Sequence, residues 1–218
     1  MRLSASLLTA TTWALLSTTH AAADACHDEI AAMFDGGPID AYSLPPYSHV
    51  IETFDAAGAT TYVMEGRVET PVRQVGTVRG SGIFTLMIGN DTWSGPTIDG
   101  PWTAGVSMGL TDPEAAHRTM KESMIRNLSE AECLGPVTVD GRSLVEYRYF
   151  TAVDPDPARA DSWWKNRYRW LIDPATSLPV LMEQTEMEAS WAPGTISTDR
   201  TVTTFTFVPG LVVAPPQP

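Results

Sequence analysis

From Tyr47 to about Ser107 the chain is written in short apolar runs divided by turn residues. Over Tyr47 to Phe54, Val50, Glu52 and Phe54 alternate with His49 and Ile51, and Ala57-Gly58 then makes a turn. Thr60 to Val68, Val72 to Arg79 and Ile83 to Ile88 follow, separated by Thr70-Pro71 and Gly80-Ser81-Gly82, and Gly89-Asn90-Asp91 leads into Thr92-Trp93-Ser94. A strand and turn about every ten residues is the spacing of an antiparallel meander.

Two stretches have helical spacing. Ile30, Ala31, Met33 and Phe34 share one side of a short segment that Asp24 can cap and Gly36-Gly37-Pro38 ends. The longer one runs from Asp112 to about Glu132, with Asp112 at the N-cap and Pro113 at the first helical position. Met120, Met124 and Leu128 recur there at intervals of four, and Gly135-Pro136 closes it.

After it the pattern returns to strand. Val137 to Val139 turns at Asp140-Gly141 into Ser143 to Ala152, and Val180 to Ala189 and Asp199 to Val208 complete the set. The clearest alternation is Trp164 to Ile172, with Trp164, Tyr168, Trp170 and Ile172 on one face and Lys165, Arg167 and Arg169 on the other. One long helix, one short helix and many strands predict an α+β fold. Its form is a strongly curved antiparallel sheet, an unclosed β-barrel, wrapping the long helix.

The 218 residues carry 14 basic and 26 acidic side chains, a formal charge of -12. This balance argues against nucleic acid as a partner, because phosphate neutralisation needs a basic face. Residues 1–23 read as an export signal: Arg2, the apolar run Leu7 to Leu16, and an Ala21-Ala22-Ala23 cleavage site. The run is too short for a bilayer span of about 20 residues. The expected organisation is a signal at 1–23, a single domain over 24–210 and a flexible tail over 211–218. The expected address is the periplasm or the extracellular space. Cleavage directly before Cys26, giving a lipoprotein, is the lesser alternative. In an oxidising compartment the only two cysteines, Cys26 and Cys133, read as a disulfide.

Catalytic patterns are few. Gly105-Val106-Ser107-Met108-Gly109 satisfies G-x-S-x-G, but only His117 follows Ser107, and the elbow requires a parallel strand that the meander does not offer. His27, His49 and His117 lack metal-ligand spacing. Glu186 and Glu188, two apart on a strand, read as a solvated face. No enzyme activity, cofactor or metal is expected from these residues.

Asp140-Gly141, Tyr147-Arg148-Tyr149 and the stretch from Trp170-Leu171-Ile172-Asp173-Pro174 through Thr176-Ser177-Leu178-Pro179-Val180 resemble a hairpin of the LolA/LolB-like superfamily of bacterial envelope proteins. That group includes periplasmic lipoprotein carriers and RseB-type sensors. The likeness is specific over about residues 137–208, with Ser177 standing where the pattern has glycine. It implies an apolar cavity under a helical lid that holds or senses acyl chains. Met120, Met124 and Leu128 would line one wall and Trp164, Tyr168 and Trp170 the other. The function expected is non-catalytic binding of a lipid or a lipoprotein acyl chain. The alternative is a protein-binding or sensory envelope module with a packed core and an envelope protein as partner; a serine hydrolase using Ser107 is a distant third.

Overall fold

The computed structural model describes residues 14–216. The first thirteen residues of the expected export signal lie outside the described residues. Helix α1 spans Ala14–Met33. It runs without a break through Asp24, which therefore does not cap it: alanine-rich sequence on both sides lets the helix propagate past that position. Strands β1 (Tyr47–Phe54), β2 (Thr60–Thr70), β3 (Arg73–Val78), β4 (Phe84–Ile88), β5 (Asp91–Gly95) and a two-residue β6 (Thr103–Ala104) form the meander. Helix α2 (Pro113–Arg126) follows, then β7 (Ser129–Val139), β8 (Arg142–Val153), β9 (Trp164–Asp173), β10 (Leu178–Ala189) and β11 (Arg200–Phe207).

All eleven strands belong to one antiparallel sheet, ordered β6-β5-β4-β3-β2-β1-β11-β10-β9-β8-β7. The two ends of that order do not pair, so the barrel is unclosed. The last strand lies between β1 and β10 and joins the two meanders in full register, from Tyr47 against Phe207 to Phe54 against Arg200.

The expected long helix is shorter than its apolar repeat implied. Asp112 caps it as read, accepting from the Ala115 N–H at 2.9 Å, an interaction that contributes about 1 kcal/mol. It stops at Arg126, six residues early, because its last turn is stitched to the end of β8. Thr151 Oγ1 donates to the Met124 carbonyl at 2.6 Å, and Ser123 Oγ accepts from Asp154 N at 2.7 Å. Asn127, at the C-cap, donates to the Ala152 carbonyl and the Asp154 carboxylate. These bonds satisfy polar groups that a helix end leaves open and release 129–132 to pair with β8. Cys133 therefore sits on an edge strand rather than at a helix terminus.

Both helices pack on the same face of the sheet. Ile30, Met33 and Phe34 of α1 meet Tyr149, Tyr168, Trp170 and Ile172, with Leu128 buried among them. The Cys26–Cys133 disulfide is present and ties α1 to β7. That edge is further protected by Pro136 and by two register irregularities.

A second, smaller core lies on the opposite face. Val75, Leu86 and Trp93 point away from the helices and pack with Ile98, Trp102, Leu211 and Val213. The segment expected as a flexible tail thus lies along the sheet as far as Pro216, with Val213 buried. Arg73 donates to the Val213 carbonyl and Glu69 accepts from its N–H, at 2.8 and 2.7 Å. Apolar residues at 211–213 make this docking favourable despite the prolines beyond them.

Candidate functional site

The β8-β9-β10 part of the sheet presents aromatic side chains to the helices because period-two alternation sends Tyr149, Tyr168 and Trp170 to one face. Tyr149 and Tyr168 stack at 5.2 Å between centroids, Phe34 of α1 meets Tyr149 edge-on at 5.8 Å, and the Trp170 indole donates to the Tyr149 hydroxyl at 3.0 Å. Burial raises both tyrosine pKa values above the usual phenol range, so these hydroxyls stay neutral donors and acceptors.

Between this aromatic floor and α2 lies a cavity of about 320 Å³. Met120 and Met124 of α2 line it from above and Trp164, Tyr168 and Trp170 from below; Met182 of β10 adds a third thioether. Five of the six residues singled out in the sequence thus share one cavity. Leu128 does not line it, because the helix has ended before that position and the side chain enters the core beside α1. Met182 was missed: the strand alternation of β10 gave no sign that its apolar face would oppose α2.

The cavity lip is polar. Asp40 accepts from the backbone N–H groups of Gly36 and Tyr42, from Ser43 Oγ and from Lys121 Nζ of α2 at 3.4 Å. Burial raises its pKa, but these donors outweigh it and hold the carboxyl below the usual range. His117 also faces the lip, edge-on to Tyr42, and burial followed by the charge of Arg159 lowers its pKa. The Lys121–Asp40 pair bridges α2 to the 34–46 loop across the opening.

The same face continues, without a helix above it, across β11 and β1 to β4. Trp170 stacks on Phe205 at 6.0 Å, Phe205 meets Tyr47 at 5.4 Å, and Tyr47 lies 5.9 Å from His49. Beyond His49 a groove of about 530 Å³ is lined by Met64, Met87 and Met108 with Tyr62 and Ile83. Gly66 leaves room for His49: a Cβ there would approach the imidazole to 2.6 Å, so the ring would have to shift.

Across β8 and β9 the opposite face carries an ionic cluster. Glu146, buried, accepts two bonds from Arg169 (2.8 and 2.9 Å) and one from Arg148 at 2.7 Å. The hydrogen bonds from Arg169 are the main reason its pKa is depressed; burial opposes them and Arg148 adds to them. A depressed carboxylate stabilises the fold fully above its unfolded pKa, and that stabilisation is lost as pH falls through the folded value. Acid unfolding below the usual glutamate value of about 4.3 should therefore be less steep in Glu146→Gln than in the parent, as read by denaturant titrations at pH 7 and pH 3. Equal pH dependence of the two proteins would contradict this. Of Glu186 and Glu188, read as a solvated pair, Glu186 is exposed with Arg167 at 3.0 Å and sits in left-handed backbone where the register slips, whereas Glu188 is largely covered and paired with Lys165 at 2.7 Å.

Catalytic geometry does not form around Ser107. Its hydroxyl donates to the Asn90 carbonyl at 3.1 Å in an exposed loop that follows the antiparallel edge strand β6. His117 lies on α2 against Tyr42 instead. Among the described residues no three His, Cys, Asp or Glu side chains are grouped to hold a metal ion, and no helix is long and apolar enough to cross a membrane.

The Trp170-to-Val180 hairpin keeps the backbone its pattern implies. Ser177 takes the left-handed conformation (φ 57°) that glycine adopts freely, with its N–H bonded to the Asp173 carbonyl at 2.8 Å. Asp173 Oδ1 accepts from Ala175 N and fixes the turn.

No protein-family model matches this sequence, and no curated protein matches it. Solved structures do. Lipoprotein LppX of Mycobacterium tuberculosis is similar with a TM-score of 0.50 and 14% identity over 88% of this chain and 99% of that one. LprF from Mycobacterium bovis is similar at 0.47 and 9%, over 87% and 97%. The LolA superfamily protein NE2245 from Nitrosomonas europaea follows at 0.31 and 8%, over 84% and 91%. The LppX likeness takes in most of this chain and almost all of that one, and at its level of identity it is a likeness of fold alone: this chain, an unclosed antiparallel sheet with its helices on one face, shares the fold of LppX.

Proposed function

We propose that this protein is a non-catalytic binding protein that holds an apolar ligand, a lipid or acyl chain, between α2 and the sheet. The observation that carries the reading is the cavity between Met120 and Met124 above and Trp164, Tyr168 and Trp170 below, with its charged lip at Asp40 and Lys121. Its volume lies at the lower end of the range for small-molecule sites, about 300–1,000 Å³. Methionine side chains repack around differently shaped apolar guests, which suits a site for chains of variable length. A charged lip beside an apolar interior matches an amphiphile with its polar end at the surface. We further propose that the chain is exported and works in the envelope, the address implied by its N-terminal sequence and by the disulfide. The fold it shares with LppX, a lipoprotein, supports an envelope setting.

A fluorescent long-chain fatty acid titrated into the purified protein tests this. Saturable binding is expected, and Met120→Asp should weaken it at least about tenfold, because the new carboxylate is desolvated by the entering chain. Met120 is only half-buried, so the variant should retain its fold, which circular dichroism checks. Absence of binding by the parent protein, or unchanged affinity in a folded Met120→Asp, would count against the proposal.

A further inference from the structure

The apolar side chains exposed by this molecule are not spread evenly. Register pairing places Phe54, Thr60, Val78, Phe84, Ala189 and Arg200 at one common end of the sheet, with Trp164 and Val153 beside them. Nine large hydrophobic residues are exposed among the described residues, and four are at this end. Trp191 (69% exposed) and Ile196 (60%) occupy the loop between β10 and β11; Ile83 (56%) ends the β3–β4 turn and Tyr62 (41%) lies near the start of β2.

Residues that line both hollows of the helix-bearing face lie at this end. Trp164 lines the α2 cavity, pairs with Ala189, and is followed in space by the Trp191 loop, because Ser190 N donates to the Trp163 carbonyl at 2.9 Å. Tyr62 and Ile83 line the open groove over β2 to β4. Single exposed apolar residues are ordinary, but a tryptophan and an isoleucine on one exposed loop, next to a residue of the cavity wall, are a pattern. An indole has an apolar body and one N–H donor, which suits it to the headgroup layer of a bilayer.

We infer that this end of the sheet docks on a lipid bilayer, with Trp191 and Ile196 inserted among the headgroups and the Trp164 wall of the α2 cavity next to them. The inference rests on the binding role proposed above and adds the surface by which the protein meets lipid. Charge selects the kind of bilayer. The chain carries -12, and at this end the basic groups Arg79, Arg126, Arg159, Lys165 and Arg200 are already paired with Glu65, Asp154, Asp156, Glu188 and Glu183. Among the described residues nothing there offers an unpaired basic surface for anionic lipid, so the partner is a zwitterionic membrane surface.

The test is co-sedimentation of the full chain with phosphatidylcholine vesicles. The parent protein should associate, and the double variant Trp191→Ser/Ile196→Ser should lose at least about tenfold in partitioning. Both residues are exposed, so the variant is expected to fold; its thermal midpoint and its uptake of the fluorescent fatty acid from water should match the parent. Val106→Ser/Val212→Ser, which removes exposed apolar side chains from the opposite end, should leave vesicle association unchanged. Three results would overturn the inference: no association by the parent, equal association by the Trp191→Ser/Ile196→Ser variant, or equal loss in the control variant. Replacing half of the phosphatidylcholine by an anionic lipid should weaken association, and a strengthening would also overturn it. Vesicle association with no fatty-acid uptake by any variant would leave the docking surface standing and remove the cavity's proposed role.

Discussion

Replacing Cys26 and Cys133 together by serine is expected to destabilise the protein by about 2–5 kcal/mol, seen as a fall of roughly 5–15 °C in the thermal midpoint. The bridge closes 107 residues of chain, a long loop whose closure entropy is otherwise lost on folding. It also joins the least securely held parts of the fold. Helix α1 touches the sheet through one face only, and β7 is the last strand of an open sheet. Without the bond, α1 would still be held by Ile30, Met33 and Phe34 in the core and by the Tyr147 hydroxyl on Glu29 at 2.7 Å. The variant should therefore unfold earlier while keeping its secondary structure at room temperature. Thermal scans of the parent with and without reductant provide the same comparison without mutation. A shift below about 1 °C in both experiments would show that α1 and β7 are secured by packing alone.

Tyr149→Ala is expected to cost about 3–5 kcal/mol, the range for removing a large aromatic side chain from a core. Tyr149 is 1% exposed and is the central ring of the cluster, in contact with Phe34 of α1 and stacked on Tyr168. Truncation would also leave the Trp170 indole N–H without its acceptor, adding the cost of an unpaired buried donor. Tyr149→Phe separates the two effects. It keeps the ring contacts and removes only the hydroxyl, so about 1–3 kcal/mol should be lost. Denaturant titrations of the two variants check the difference. If Tyr149→Phe proved as harmful as Tyr149→Ala, the hydrogen bond rather than the packing would dominate this core. The floor of the proposed ligand site is built from the same rings, so fatty-acid binding should fall in Tyr149→Ala even where the protein remains folded.

The pH response of Glu146 belongs to the other face and should be independent of both effects. Its partners are arginines that keep part of their contact with water. Its contribution should accordingly be smaller than that of either core substitution.

How far these features could be read in advance depended on their range along the chain. β1 was legible to the residue, because alternation over Tyr47 to Phe54 and the turns around it are local properties. Asp140-Gly141 was legible for the same reason: both residues take positive φ (49° and 77°), as a two-residue hairpin demands. The aromatic face of β9 followed directly from period two. The C-terminus of α2 did not. Its apolar repeat continues through Leu128, and only the Thr151 hydroxyl on the Met124 carbonyl and the Asp154 carboxylate on Asn127, each about 27 residues away, decide that the helix ends at Arg126. With that boundary went the expected place of Leu128, which left the cavity wall and joined the core around α1.

The sequence by itself determined the alternation of the strands, the turns that divide them, the N-cap of α2 and the pairing of two cysteines. These depend on backbone preferences and on side-chain periodicity within a few residues. Only the tertiary structure decided that β11 joins the two meanders through β1, that Met182 completes the cavity wall, and that residues 211–213 cover the face opposite the helices. Each of these depends on contacts between residues distant along the chain. Such contacts are fixed by which surfaces can be buried together, a property of the assembled sheet that no local window of residues contains.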